Sequence, residues 1–403
     1  MKFKRFTKPS FLKEIGRELL GRFFERFNED LSATNIVLPA ANLEDDAYFK
    51  AMSQMAVSPD GLPDNLFEAI YAIEGMANAE GQERLERAVT QAGLPLEFND
   101  ESTHADIAVQ VWMADPALFA EKHNEQRLHR LSTFEYFACK APVDRRQSFT
   151  VPDEASVARM VADMDEWFPK HNRGAQTTHV EVYAMDGECW FLIRHGDTYA
   201  RMPTAIENRR VRVLHFRPTK DDVVVYSPER DEIRIHAGTK GEKELYVETL
   251  GVRLFGDDKH FSERKAYTLE PLRADGPAAL DTDGIPGISE IVLREIEWAW
   301  DNGHHEVVIR KADDIFAAAA DRDPERDAIP QGARLVRAKL DFYFGDSSKA
   351  RWVEIRPPNI LKVARYCDVC LVHQWIVARG FRVPVATPPQ RGGITHVATV
   401  AEP

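Results

Sequence analysis

The spacing of apolar residues in this chain of 403 residues changes from helical to strand-like near Asn172–Gly174, and helices and strands alternate again in the last part. Before that point apolar residues recur every three to four positions, as at Phe11, Ile15 and Leu19, which is helical spacing. After it, short runs rich in β-branched and aromatic residues are separated by turn residues. Because helix and strand faces require different spacings, the sequence predicts an α+β, multidomain fold.

Local signals predict four further elements. One amphipathic helix with an aromatic stripe is predicted over residues 11–27, and Asp115 followed by Pro116 predicts the start of another helix. The pair Asp186–Gly187 predicts a hairpin turn, and residues 245–248 predict a strand.

The predicted organisation has three folded parts and a tail. An acidic helical region over residues 1–172 precedes a central antiparallel β domain over 175–272. A C-terminal α/β domain follows over 285–385, and residues 386–403 are predicted to be a flexible tail because they show no periodicity. A chain of this length fits two or three domains of roughly 100–200 residues each.

The C-terminal domain has a predicted element order similar to that of a winged helix, a helix-turn-helix variant in which a hairpin supports DNA contact. A structural α/β domain without DNA contact has the same order. The predicted elements are a helix at 289–300, a strand at 306–309, a helix at 312–320, a hairpin of 338–344 with 352–356, and a long helix at 359–378 that ends at Gly380.

Charge is unevenly distributed along the chain. Residues 334–382 contain ten basic and four acidic side chains, a net charge of +6, although the whole chain carries −13. Residues 31–101 contain thirteen acidic and three basic side chains. Dense Lys and Arg attract a phosphate backbone, whereas the acidic region repels one and suits a protein partner or solubility.

These basic clusters supply the predicted nucleic-acid interface. A DNA or RNA backbone is the predicted ligand because its phosphates attract closely spaced cations. The predicted contact residues are Lys339, Lys349, Arg351 and Arg356 around the hairpin, Lys362 and Arg365 one turn apart on the following helix, and Arg209, Arg210 and Arg212 in the β domain.

The same hairpin resembles, weakly, the strand pair of PD-(D/E)xK nucleases. Asp341 on one strand and Glu354 on the next are predicted to approach each other as ligands of Mg²⁺. Arg356 stands where those nucleases have a lysine, and an arginine does not release its proton near neutral pH. An ion pair between a strand carboxylate and a neighbouring arginine is the simpler prediction.

The cysteines bear on compartment and on metal binding. Four cysteines, unevenly spread, do not form a disulfide framework, and together with the absence of a secretion signal or a long apolar run they predict a cytoplasmic protein without a membrane span. Cys367 and Cys370, with His373 nearby, have ligand-like spacing, but burial as small apolar residues in a helix is the favoured prediction. No cofactor and no metal site are predicted outside the nuclease alternative.

Together these features predict a non-catalytic subunit that binds nucleic acid or a protein partner. Such a mosaic of parts suits a bacterial regulatory or antiphage defence system. The alternative is a Mg²⁺-dependent nuclease that uses Asp341 and Glu354. The sequence contains neither the P-loop motif GxxxxGK[ST] nor the nucleophile motif GxSxG, so nucleotide hydrolysis and α/β-hydrolase chemistry are not expected.

Overall fold

The computed structural model describes residues 4–383 except for 35, 41, 58–61, 100, 140–148, 207–209, 324–326 and 346–348. The chain forms two compact units, with the division between Arg130 and Leu131. Arg209, the centre of the predicted hairpin turn and the predicted tail lie outside the described residues. Among the described helices, none is both long and apolar enough to cross a bilayer.

The first unit is helical, and its core is rich in phenylalanine. The ring of Phe23 contacts the rings of Phe24, Phe27 and Trp112 at centroid distances of 5.2–5.5 Å. The aromatic stripe is divided between two helices because Gly16, with φ of 81°, interrupts them. The helices are α1 (Pro9–Ile15), α2 (Arg17–Glu25), α3 (Asn28–Ala33), α4 (Asp45–Val57), α5 (Asp64–Met76), α6 (Ala79–Ala92), α7 (His104–Ala114) and α8 (Pro116–His129).

The helix predicted to begin at Pro116 is confirmed, together with its cap. The Asp115 carboxylate accepts hydrogen bonds from the backbone N–H groups of Ala117 and Leu118, at 3.1 and 2.9 Å. Pro116 occupies the first turn, where a missing N–H costs no helical hydrogen bond. Local sequence therefore specifies where α8 begins.

The second unit is built on one ten-stranded antiparallel sheet in the order β2-β3-β6-β7-β1-β12-β11-β10-β8-β9. A separate two-stranded sheet pairs β4 with β5. The strands are β1 (Thr133–Ala138), β2 (His179–Met185), β3 (Glu188–Gly196), β4 (Ala200–Ile206), β5 (Arg210–Phe216), β6 (Thr219–Ser227), β7 (Glu232–His236), β8 (Ile288–Ala299), β9 (Val307–Lys311), β10 (Arg334–Phe344), β11 (Arg351–Arg356) and β12 (Ile360–Val363).

The helices of this unit are α9 (Glu154–Trp167), α10 (Lys240–Phe255), α11 (Glu270–Ala274), α12 (Ile315–Arg322) and α13 (Val369–Ala378). The first two pack on the sheet through a shared apolar core. Met164 of α9 and Tyr246 of α10 lie in one buried cluster with Phe191, Val224 and Ile235 of the strands. The predicted hairpin at Asp186–Gly187 is confirmed, because it joins the paired strands β2 and β3.

Strand β1 was not expected, and it joins the two halves of the sheet. It pairs with β7 on one side and with β12 on the other, for example Phe134 with Leu361. Strands from the predicted central β domain and from the predicted C-terminal domain therefore belong to a single sheet. Strand β1 was not predicted because the sequence on both sides of it has helical periodicity.

Three predicted elements are wrong. Residues 289–300 form strand β8 and not a helix, and residues 245–248 lie in helix α10 and not in a strand. The predicted helix over 359–378 begins only at Val369, because 360–363 form β12. The hairpin of β10 and β11 lies inside the sheet and no helix precedes it at 289–300, so the described residues do not have the element order of a winged helix.

The error at β8 has a physical cause. Its buried residues Ile288, Ile291, Leu293 and Ile296 include gaps of three positions, as in a helix. The pairing of β8 with β10 contains three register shifts, and each such irregularity changes which residues face the core. A strand with bulges can therefore imitate helical spacing.

Candidate interaction arm

Strands β4 and β5 form a ribbon that extends from the main sheet. The neighbouring strands β3 and β6 pair as far as Gly196 with Thr219, and the N–H of Asp197 donates to the carbonyl oxygen of Pro218 at 2.7 Å. Beyond this point the chain continues as β4, returns as β5 and rejoins β6. Residues 199–216 are called the ribbon arm from here on.

The base of the ribbon arm is anchored by arginines. Arg217 donates through Nη1 to the carbonyl oxygen of Asn172 at 2.7 Å and also to that of Asp197. Arg173 forms an ion pair with Asp197 and another with Glu242, the latter at 2.9 Å. These contacts fix the point at which the arm leaves the sheet.

The pairing register assigns side chains to two faces of the ribbon arm. Residues directly opposite each other in an antiparallel pair share a face. Met202 lies opposite Leu214, and Thr204 lies opposite Arg212, so this face is apolar near the base and basic toward the tip. The other face carries Arg201 opposite His215, followed by Pro203 opposite Val213 and Ala205 opposite Val211.

Both faces of the ribbon arm are solvated. Val211 is 68% exposed, Tyr199 66% and Met202 51%, and Leu214 and Phe216 are also exposed. An isolated two-stranded ribbon is marginally stable in water. The described part of the arm therefore leaves apolar side chains exposed on both faces, which is unusual for a surface without a contact role.

Among the described residues of the ribbon arm, the side chains with a permanent charge are arginines; Glu207 and Arg209 lie outside the described residues. Arg201, Arg210 and Arg212 are exposed, and none of them forms an ion pair with a described carboxylate. The described arm residues include no Lys, Asp or Glu. Pro203 lacks an N–H, so it hinders the addition of a further strand along the outer edge of β4. The edge of β4 is therefore poorly suited to pairing with a further strand.

The predicted basic hairpin is neutralised by carboxylates. Arg351 is buried and donates to Asp368 at 2.6 Å. Arg356 and Lys362 both lie against Oε1 of Glu354, at 2.7 and 3.0 Å. Lys362 belongs to strand β12, so the prediction that it lies one helical turn from Arg365 is wrong.

The remaining predicted cations of this segment differ in their surroundings. The Lys339 ammonium lies 5.7 Å from the centre of the Trp352 ring. Lys349 and Arg365 are exposed. Arg337, from the same segment, pairs with Glu295 and Glu297 of β8 and with Glu354. The acidic residues of β8 thus balance the charge of β10, which favours a structural role for this segment.

Asp341 and Glu354 lie on the same face of the β10–β11 pair, as the nuclease alternative requires. Lys339 is opposite Glu354 and Asp341 is opposite Trp352, so the two carboxylates are diagonal neighbours. Asp341 pairs with Arg294 at 3.1 Å. Among the described residues, neither carboxylate belongs to a cluster of three or more side chains able to hold a metal.

The charge state of Glu354 agrees with a structural role. Burial alone raises its pKa, but the hydrogen bond from Lys362 and the charges of Arg356 and Arg337 lower the pKa below its ordinary value. Three cations already surround this carboxylate. A magnesium ion placed there has to displace at least one of them.

The prediction of buried cysteines at Cys367 and Cys370 is wrong, because both are exposed. Cys367 lies in the 3-10 turn of Tyr366–Asp368, and Cys370 lies in the first turn of α13, whose buried residues begin at Val372. His373 is buried and lies 3.2 Å from the hydroxyl oxygen of Tyr136, and burial lowers its pKa well below the ordinary value. The three side chains therefore do not form the ligand set that their spacing suggests.

Two buried polar clusters were not found from the sequence. One contains His195, Asp222 and Glu242, and the other contains Cys139, Asp231 and His260. Their members come from distant segments and meet only in the folded unit. No signal in the sequence marks them beyond residue types that can bind metals or exchange protons.

The comparisons with known proteins add no functional assignment. No protein-family model matches the chain, and no curated protein matches it significantly.

Proposed function

We propose that the chain is a non-catalytic binding subunit whose ribbon arm docks onto an acidic, partly apolar surface of a protein partner. The observation that carries this proposal is the exposure of both faces of the arm, with three arginines and no carboxylate among its described residues. Buried in an interface, Tyr199, Phe216 and Met202 would supply apolar contact. Arg201, Arg210 and Arg212 would find their carboxylates on the partner.

The composition of the ribbon arm supports a protein partner. Aromatic residues, Met and Arg are enriched at protein interfaces, whereas Lys, Glu and Asp are depleted. The arm follows this pattern, and the −13 charge of the whole chain opposes a general attraction to nucleic acid. An acidic protein surface with apolar patches can contact both the apolar and the cationic side chains of the arm.

Site-specific photocrosslinking tests this proposal. With a benzophenone side chain at Val211 of the full chain in cells, we expect a covalent adduct of defined mass with one protein. Val377 on α13 is 62% exposed and serves as the control position, at which this adduct should not form. The absence of an adduct at Val211, or the same adducts at both positions, would overturn the proposal.

A nucleic-acid groove is a second candidate ligand, and one observation favours it. Two-stranded ribbons fit the major groove of duplex DNA, and Arg210 and Arg212 project from one face of this ribbon. If the arm binds DNA, the affinity for duplex DNA falls steeply as the salt concentration rises. The double change Arg210→Ala and Arg212→Ala should then reduce the slope of log affinity against log salt concentration by about 2. The matched control is the double change Arg22→Ala and Arg26→Ala, at two exposed arginines of the first unit that are not among the predicted contacts.

The outcome of that titration separates the two candidates. A salt-independent or undetectable affinity for DNA contradicts the nucleic-acid candidate and leaves the protein partner. If nuclease treatment destroys the adduct at Val211, the crosslinked molecule is a nucleic acid, which contradicts the protein partner and supports the nucleic-acid candidate. Membership of a bacterial regulatory or antiphage defence system remains part of the proposal, and the identity of the crosslinked partner tests it.

A further inference from the structure

We propose that Cys139, Asp231 and His260 bind a Zn²⁺ ion inside the second unit. Cys139 directly follows strand β1, Asp231 lies in the turn between β6 and β7, and His260 follows helix α10. The sulfur of Cys139, a carboxylate oxygen of Asp231 and a ring nitrogen of His260 all lie within 4.8 Å of one another. All three residues are buried.

The carboxylate of Asp231 is incompletely satisfied. Its Oδ1 lies 2.9 Å from Nε2 of His260 and accepts a hydrogen bond from the hydroxyl of Tyr226 at 3.2 Å. Burial raises the pKa of this carboxylate, but the thiol of Cys139 also hydrogen-bonds to it and helps to lower the pKa. The Oδ2 atom is buried and accepts no hydrogen bond from a described nitrogen or oxygen. A buried oxygen without a partner costs about 1–3 kcal/mol, more when it is charged. A cation bound at this oxygen removes that cost.

No described lysine or arginine pairs with Asp231; its ion-pair partner in the described part of the chain is His260. Asp231 also has a left-handed backbone, with φ of 49°, which is uncommon for residues other than glycine. The turn thus holds a carboxylate in a buried position at some conformational cost. Strained backbone of this kind is concentrated at functional sites.

The three donor types suit zinc. Zinc binds thiolate, imidazole and carboxylate at about 2.0–2.3 Å, and three protein ligands leave a fourth position for water. On binding, the ion displaces the thiol proton of Cys139 to solvent. The proton between Nε2 of His260 and Asp231 leaves to solvent from an imidazolium, or moves to Nδ1 of a neutral imidazole, so that Nε2 offers a lone pair to the ion. One divalent ion with one thiolate and one carboxylate has no net charge, which is the condition a buried site requires.

The second buried cluster provides a contrast. There, Lys220 lies 3.2 Å from Asp222 and 2.6 Å from Glu242, and Arg173 also pairs with Glu242. Side-chain cations therefore already balance the carboxylates beside His195. A metal ion is expected at Cys139, Asp231 and His260 and not at the second cluster.

Metal analysis and cobalt substitution test the site on the full chain. We expect about one equivalent of zinc after purification, and Co²⁺ added to chelator-treated protein should give thiolate-to-cobalt absorption in the near ultraviolet. Cys139→Ser should abolish that absorption, and His260→Gln or Asp231→Asn should weaken cobalt binding at least tenfold. Cys189→Ser is the matched control, because Cys189 is equally buried but belongs to no such cluster.

Zinc should also raise the melting temperature of the chelator-treated wild type and not that of Cys139→Ser, because a ligand bound only by the folded state stabilises it. Circular dichroism establishes that each variant is folded before titration. Absence of thiolate-to-cobalt absorption in the wild type, or its retention in Cys139→Ser, would overturn the proposal. In the latter case the exposed Cys367 and Cys370 would be the source.

Discussion

Replacing Arg234 with methionine is expected to lower the free energy of unfolding of the second unit by about 3 kcal/mol. Arg234 is buried in strand β7 and donates two hydrogen bonds to the carboxylate of Glu188, at 2.7 and 2.6 Å. Its guanidinium also lies 5.2 Å from the ring centre of Trp190. Methionine fills much of the volume but leaves the partly buried Glu188 without its main partner.

The pKa directions describe the same interaction. Burial alone disfavours the charged form of each group, but the hydrogen bonds between them raise the pKa of Arg234 and lower that of Glu188. Denaturant unfolding followed by tryptophan fluorescence measures the effect. Arg230→Met is the control, because Arg230 contacts the same carboxylate at 3.1 Å but is 35% exposed, and it should cost less than about 1 kcal/mol. Equal losses in the two variants would contradict this account of the pair.

Replacing Glu354 with glutamine is expected to cost about 1.5–3 kcal/mol, because hydrogen bonds to charged groups contribute about that much. The change removes the negative charge that Arg356, Lys362 and Arg337 share, and it replaces one carboxylate oxygen with an NH₂ group that cannot accept their hydrogen bonds. The nuclease alternative predicts a different result, in which the variant keeps its stability and loses Mg²⁺-dependent cleavage. Unfolding and cleavage measured on the same preparation separate the two.

The loss should depend on pH with a defined sign. The folded-state pKa of Glu354 lies below its ordinary value of 4.5, so its ionised form stabilises the folded state. This contribution is complete above the unfolded pKa and is lost as the pH falls through the folded pKa. The difference between wild type and Glu354→Gln should therefore be constant near pH 7 and shrink below about pH 4. Glu290→Gln, at an exposed position of β8, should show neither the loss nor the pH dependence.

Features specified by neighbouring residues were predictable from the sequence. The cap at Asp115, the hairpin at Asp186–Gly187 and the end of α13 before Gly380 each depend on a few adjacent residues. The change from helical to strand spacing also predicted the coarse α+β class. In each case the signal and the structure that it specifies lie within one short segment.

Features specified by distant residues were not predictable. The net charge of residues 334–382 indicated a cationic face, but Glu295 and Glu297 of β8, which pair with Arg337, lie outside that window. Strand β1 completes the sheet only through partners more than 90 residues away in sequence. The buried cluster of Cys139, Asp231 and His260 is likewise assembled by tertiary contacts alone.

The ribbon arm combines residues that the sequence analysis singled out with residues that it did not. Charge alone predicts Arg210 and Arg212 as nucleic-acid contacts, and the structure places both on the exposed ribbon arm, where their role in binding stays a prediction. The apolar half of the arm was missed, because alternation of apolar and polar residues in β5 is also the pattern of a strand with one buried face. A strand with one buried face and a strand exposed on both faces are distinguished here by the sheet topology, in which β4 and β5 pair with each other outside the main sheet.

Removal of the ribbon arm tests the central claim most directly. A short glycine-containing turn replaces residues 199–216, at the point where β3 and β6 are already paired through Gly196 and Thr219. Because the exposed arm stabilises little else, the free energy of unfolding should change by no more than about 0.5 kcal/mol, while the protein captured at Val211 no longer copurifies. A loss of several kcal/mol, or undiminished copurification of that protein, would contradict the claim that the arm is a binding surface.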